Sequence, residues 1–326
     1  MTIGVIFTGG TIGSAQGAKG LAPNGEMPRL LLANYQKRTG DDTAFPTAEP
    51  YAILSEDLTL SHVASLAGLI REKAAEWDGI IVTHGTDTLQ YTATALSYLL
   101  GLHTRPVVLV SSNYPLDDAR ANGLDNFCGA VDFLRQIPSA RGVYVAYKNT
   151  GDTLKLHRGA RVLAHPAFSD DIVSHGSAAY EQKDGNFAPV DGFFEHEEGQ
   201  APFDGKDLSA AEGKVLFMQA HPGMAYPALD GIAAVLLRTY HSGTLATDSE
   251  ALQRFARDAM KRDVPIFLTG VPAEGTAYAS GNLFADLALI PAPPISPIAA
   301  YMKLCLAVAD GRDPRKALSL PLGGDL

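Results

Sequence analysis

The sequence predicts an α/β protein, with a doubly wound, mostly parallel sheet in an N-terminal domain and a smaller α/β C-terminal domain. Three observations carry this. Short apolar runs at residues 2–7, 79–82, 106–110 and 142–147 alternate with stretches of helical periodicity, the pattern of a parallel sheet with crossover helices. These runs are mostly apolar along their length, as expected of strands covered on both faces. Between about Tyr180 and Gly213 the periodicity fades and Gly, Pro, Asp and Glu accumulate, which marks an interdomain connection. The expected division is a domain over 1–185, a linker over 186–212 and a second α/β domain over 213–326.

The elements follow in order. After the first run comes Thr8-Gly9-Gly10-Thr11-Ile12-Gly13, a turn whose glycines let the backbone approach a ligand closely. Residues Ser14 to Arg29, broken by Gly17, Gly20, Pro23, Gly25 and Pro28, read as a flap over the site. Tyr51–Leu54 reads as a short strand ending in Ser55-Glu56-Asp57. Val63, Leu66, Ile70, Ala74 and Trp77 then fall on one helical face and belong to the core. Gly79-Ile80-Ile81-Val82 leads into Thr83-His84-Gly85-Thr86-Asp87-Thr88, and a helix follows from Asp87 with an acidic first turn. Pro106–Val110 ends in Ser111-Ser112-Asn113, and a helix from about Ala121 to Ile137 comes next. Gly142–Tyr147 is a strand, and residues 148–163 form a hairpin that turns near Asn149–Asp152. In the second half, Lys214–Met218 and Pro265–Thr269 are strands; Ala228–Tyr240, Ser249–Lys261 and Ile298–Ala309 are helices.

Composition narrows the function classes. With 326 residues, 46% hydrophobic and 19% charged, the chain has the make-up of a globular protein with room for two domains. A formal net charge of -10 argues against nucleic acid, which needs a basic face. The N-terminal segment lacks the basic flank of a signal peptide, and no apolar stretch is long enough to span a bilayer. Cys128 and Cys305 are the two cysteines, far apart, which favours free thiols in a reducing compartment. A cytoplasmic protein with no membrane partner is expected.

Chemistry concentrates at the strand ends: Thr11, Ser55 with Glu56, Thr86 with Asp87, and Ser111 with Ser112. In an open parallel sheet these ends lie on one edge, where ligands bind. Thr and Asp are also ordinary helix caps, which is the plain alternative for either turn alone. Two threonines on glycine-bearing turns, with two carboxylates beside them, exceed what capping explains. A dinucleotide fingerprint, a phosphate-binding loop and a Gly-x-Ser-x-Gly elbow are all absent from the sequence. His84, His157, His165 and His175 show no metal-ligand spacing, so neither cofactor nor metal is expected.

Thr8–Gly13 and Thr83–Thr88 resemble the two signature motifs of the bacterial-type L-asparaginases. The resemblance continues through Ser55-Glu56-Asp57-Leu58, Tyr91–Ser97 and Pro106–Asn126, where it fits the cytoplasmic (type I) branch, and it covers most of residues 1–165. It implies hydrolysis of L-asparagine to L-aspartate and ammonia without metal or cofactor. Thr11 would be the nucleophile that forms an acyl-enzyme. Thr86 and Asp87 would make a second hydroxyl centre. Asp87 and Glu56 would hold the substrate ammonium, Ser55 its carboxylate, and the turns at Gly10 and Gly85 would offer N–H groups to the oxyanion, with Ser112 also at the substrate. The resemblance further implies a homodimer or homotetramer whose C-terminal domain helps complete the site. Two positions depart from it. Ala164 stands where the family carries a lysine paired with Thr86 and Asp87, and Leu21 stands where the flap carries a tyrosine. Lys148, Lys155, His165 or Tyr35 are candidates to fill these roles. The alternatives are a weakened paralog that binds an amino acid as a sensor, or an amidase for a related amide.

Overall fold

The computed structural model describes residues 1–17, 20–102, 104–193 and 203–326; the part of the expected linker at 194–202 lies outside the described residues. The chain divides into two compact units, residues 1–202 with 322–324 and residues 203–321 with 325–326. The fold is α/β in both.

The first unit begins with β1 (Ile3–Phe7), a hairpin of β2 (Ser14–Gly17) and β3 (Gly20–Pro23), helix α1 (Met27–Thr39) and the two-residue β4 (Thr47–Ala48). Helix α2 (Leu60–Lys73) is opened by a capping box between Thr59 and His62. Then β5 (Gly79–Thr83), α3 (Leu89–Leu100), β6 (Val107–Val110), α4 (Gly123–Gln136) and β7 (Val143–Lys148) alternate as the apolar runs require. Antiparallel strands β8 (Leu154–Arg158), β9 (Tyr180–Lys183) and β10 (Asn186–Pro189) extend the sheet at one side. The order is β10-β9-β8-β7-β6-β5-β1-β4, with β4, β1, β5, β6 and β7 parallel.

Both faces of these strands are buried, which explains the lack of alternation. Ile3, Val5, Phe7, Ile81, Val108 and Val110 pack with Leu31 and Tyr35 of α1 and Phe127, Val131 and Leu134 of α4. On the other face Ile6, Ile80, Val82, Val107 and Leu109 are equally enclosed. There Trp77 sits beyond the end of α2, and a Cβ on Gly4 would fall 1.8 Å from its ring.

Three expectations fail here for physical reasons. Tyr51–Leu54 makes no strand; only Ile53 bridges to Gly9. The stretch read as flap passes into α1, where Tyr35 is 1% exposed and donates its hydroxyl to Asp41 at 2.6 Å, so it is no mobile partner for a nucleophile. Asn186–Pro189, read as the start of the linker, is the edge strand β10.

The second unit holds β11 (Val215–Gln219), β12 (Ala234–Arg238), α5 (Glu250–Lys261), β13 (Ile266–Thr269), β14 (Leu289–Pro291), α6 (Pro297–Ala309) and α7 (Pro314–Leu318). Its four strands run parallel in the order β11-β12-β13-β14. Leu252, Phe255, Ala256 and Ala259 of α5 pack with Val235, Leu237, Ile266 and Leu268. The span Ala228–Tyr240, expected as a helix, holds instead the strand β12, buried over Ala234–Leu237. A short apolar run covered on both faces cannot be told from a buried helix by periodicity. No described helix is long and apolar enough to cross a membrane.

Candidate active site

Thr11 and Thr86 follow the carboxyl ends of β1 and β5, adjacent parallel strands whose register pairs Phe7 with Thr83. The turns after them are fastened together. Thr8 Oγ1 donates to Thr83 O at 2.6 Å, and Gly10 N donates to Ile53 O at 2.9 Å. Gly10 has φ of 72°, a left-handed conformation that favours glycine, and a Cβ there would lie 2.2 Å from Gly85 N. A Cβ on Gly85 would in turn meet Ser55 Cβ at 2.4 Å. Three loops thus touch at Gly10, Gly85 and Ser55. Thr11 opens a tight turn over Thr11–Gly13 that is closed by Ser14 Oγ donating to Gly10 O at 2.8 Å. Thr11 and Thr86 are each half-buried, one residue beyond the touching glycines.

The carboxylate is held from the third loop. Ser55 is 8% exposed, and its Oγ donates to Asp87 Oδ2 at 3.1 Å, while Thr88 Oγ1 donates to Ser55 O at 2.9 Å. Asp87 itself is exposed, as is Glu56, which makes no hydrogen bond or ion pair among the described residues. Hydrogen bonds thus join Ser55 to Asp87 and Thr88, and the glycine contact joins their turn to the one that carries Thr11.

Burial settles the role of His84. It is 2% exposed, with Nδ1 2.8 Å from Gly85 O and Nε2 2.9 Å from Thr92 Oγ1. Gly85 O can only accept, so Nδ1 carries the proton and Nε2 accepts from Thr92. Burial pushes its pKa down to about 4, against the opposing pull of the Gly85 carbonyl. This neutral ring pins the Thr83–Thr88 turn onto α3.

Some expected residues stand elsewhere. Ser112 is fully buried; its Oγ donates to Tyr114 O at 2.5 Å and accepts from Gly123 N at 3.1 Å, so it builds its own loop and does not face a substrate. The Gly10 N–H is committed to Ile53, so the oxyanion donors of the turn are not there. Gly85 and Thr86 N–H groups form no hydrogen bond among the described residues. Lys148 is paired with Asp125 and Lys155 with Asp152, which removes both as partners of Thr86. Of Leu21 only the backbone, in β3, is described.

Beside Thr86 the structure opens a pocket of about 300 Å³ lined by Asp87, Gln90, Ala164, His165 and Asp170. Gln90, at the start of α3, lies four residues after Thr86 and was not singled out in the sequence. His165, one of the candidates named for the missing lysine's role, comes from a loop far along the chain, as does Asp170, to which no local pattern points. Among the described residues no three or more His, Cys, Asp or Glu side chains are grouped to hold a metal ion.

Comparison with known proteins gives this geometry its setting. The family model described as "Asparaginase, N-terminal" matches residues 2–175, more than half of the chain. The chain belongs to the asparaginase family. It is an amidohydrolase, in keeping with the type I resemblance of its motifs. L-asparaginase 1 of Escherichia coli is 26% identical over an alignment that covers 100% of this chain and 98% of that protein. The solved thermostable L-asparaginase of Thermococcus kodakarensis superposes with a TM-score of 0.80 at 25% identity, covering 100% of this chain and 99% of that one. A glutamyl-tRNA(Gln) amidotransferase polypeptide of Pyrococcus furiosus is 27% identical over 98% of this chain and 75% of that protein.

Proposed function

We propose that this asparaginase-family enzyme hydrolyses L-asparagine to L-aspartate and ammonia, with Thr11 as nucleophile. The observation that carries the reading is the contact of Gly10, Gly85 and Ser55, which sets Thr11 and Thr86 on adjoining turns with Asp87 beside them. Thr11 Oγ attacks the side-chain amide carbon, and the carbonyl oxygen gathers charge. The N–H groups of Gly85 and Thr86 are the donors that meet it. As the intermediate collapses, the C–N bond breaks and nitrogen leaves as ammonia, taking the proton that Thr11 gave up. Water then adds to the aspartyl ester, releasing aspartate and restoring the Thr11 hydroxyl. A threonine hydroxyl is un-ionised at neutral pH, so its activation depends on this polarising site.

Asp87 and Glu56 are the anionic side of the pocket and take the substrate ammonium, and Ser55 orients Asp87 while meeting the carboxylate. Thr86 positions the amide and the attacking water. The proposal extends to a cytoplasmic enzyme acting as a homodimer or homotetramer. Likeness to an amidotransferase polypeptide supports a second reading, an amidase for a related amide such as that of L-glutamine.

Ammonia release from L-asparagine, L-glutamine and D-asparagine by the purified protein tests both. Turnover confined to L-asparagine supports the first reading. Preferential turnover of glutamine supports the second, and binding of asparagine without ammonia release overturns both.

A further inference from the structure

His165 stands with both ring nitrogens against backbone carbonyls. Nε2 lies 3.2 Å from Thr86 O, and Nδ1 lies 3.1 Å from Asp171 O. A carbonyl oxygen accepts hydrogen bonds and never donates one. Neutral imidazole carries a single N–H and can satisfy one of these two oxygens; imidazolium carries two and satisfies both. The ring therefore ties the Thr86 turn to the loop around Asp171 in full only when it is cationic.

Its surroundings suit a cation. His165 lines the pocket of about 300 Å³ together with Thr86, Asp87, Gln90, Ser169 and Asp170, and among the described residues no lysine or arginine lines it. Asp87 and Asp170 are the charged groups that face this space from the Thr86 turn and from the loop. Asp170 makes no hydrogen bond or ion pair among the described residues. Gln90, 5% exposed, spends its Nε2 on Asp87 O at 2.9 Å and leaves Oε1 without a partner among the described residues. Acceptors outnumber donors around the imidazole. A protonated ring is the group that answers them.

We infer that His165 is the positioning cation of the Thr86 turn. As imidazolium it donates to Thr86 O and Asp171 O together, and so fixes where the Thr86 hydroxyl and the N–H groups of the same turn meet the amide. Loss of one ring proton breaks one of the two bonds and frees the turn from the loop. The effect falls on kcat, through the geometry of Thr86. This inference rests on the part proposed above for Thr86.

Two readouts test it separately from that part. The first is ¹⁵N NMR of ring-labelled histidine, with the His165 signals identified by their loss in His165→Gln. Both ring nitrogens are expected to carry a proton in the active enzyme. The second is the pH profile of two variants. His165→Gln, which cannot donate in both directions, is expected to lower kcat on the order of 10- to 100-fold, the scale of small misplacements of reacting groups. His165→Arg keeps a cation with several donors and is expected to retain activity on the alkaline side. A ring that is neutral at the pH of full activity overturns the inference, as does wild-type kcat in a folded His165→Gln at every pH. If the protein turns over no amide at all, the ring's protonation state still decides the question.

Discussion

Gly10 and Gly85 meet backbone to backbone: a Cβ on Gly10 would stand 2.2 Å from the amide nitrogen of Gly85. This contact holds together the two turns that carry Thr11 and Thr86. It follows that Gly10→Ala should cost stability twice, about 1–2 kcal/mol for a side chain in the left-handed region and about 1–3 kcal/mol for overpacking. Urea unfolding should register the loss, and ammonia release should fall with it because the turns are driven apart. A Gly10→Ala enzyme with the unfolding midpoint and rate of the wild type would refute the contact.

Buried neutral histidines give the fold an acid limit. His84 and His157 are both held at about 4, the first by burial and the second by burial with Lys155 adding to it. The folded pKa lies below the unfolded one, so above pH 6.5 neither ring affects stability. As pH falls from 6.5 the unfolded chain takes up protons that the folded chain refuses, and stability drops until about pH 4. The loss is on the order of 3 kcal/mol per ring. Urea midpoints measured between pH 7 and 4 should therefore fall steadily, and the fall should be shallower in His157→Gln. An equally steep fall in that variant would contradict the assignment.

In the second unit Lys303 and Asp325 form an ion pair with side-chain exposures of 1% and 0%, and Lys303 also donates to Leu320 O. Removing one partner leaves a buried charge, so Asp325→Ala should cost about 3–5 kcal/mol. Replacing both, as Lys303→Met with Asp325→Leu, should recover most of it, because a well-packed apolar pair avoids the desolvation cost. Equal loss in the single and double variants would show that the pair itself is stabilising.

Ser55 reaches Asp87 from a separate loop at 3.1 Å. Ser55→Ala should raise KM for asparagine about tenfold with a smaller change in kcat, since it loosens binding and leaves Thr11 in place. Steady-state kinetics separate the two parameters. A loss confined to kcat would place Ser55 in the chemistry and out of binding.

Much of this site was legible in the sequence. Apolar runs ending in Gly-Gly-Thr11 and Gly85-Thr86-Asp87 locate both turns, because glycine breaks each run where its strand stops. The hairpin of β9 and β10 was not read, and the linker was expected to begin at its second strand. Asp184 and Gly185, with φ of 49° and 79°, are the Asp-Gly pair that such turns favour, set in a stretch poor in apolar residues. Helix α1 hid behind Pro28 and a polar second half, with Met27, Leu31 and Tyr35 as its buried stripe. His165 and Asp170 reach the Thr86 pocket only through the folding of a distant loop. The burial of Ser112 and the engagement of Gly10 N–H depend on partners that sequence spacing does not reveal.

Whether Thr11 is the nucleophile is tested most directly by kcat for L-asparagine in Thr11→Val. Valine keeps the shape of the side chain and removes the hydroxyl. A fall of at least about a thousandfold is expected in a folded protein that still binds asparagine, the scale on which loss of a nucleophile acts. A kcat within about tenfold of the wild type would contradict it, since no loss of that size is compatible with removing the attacking group.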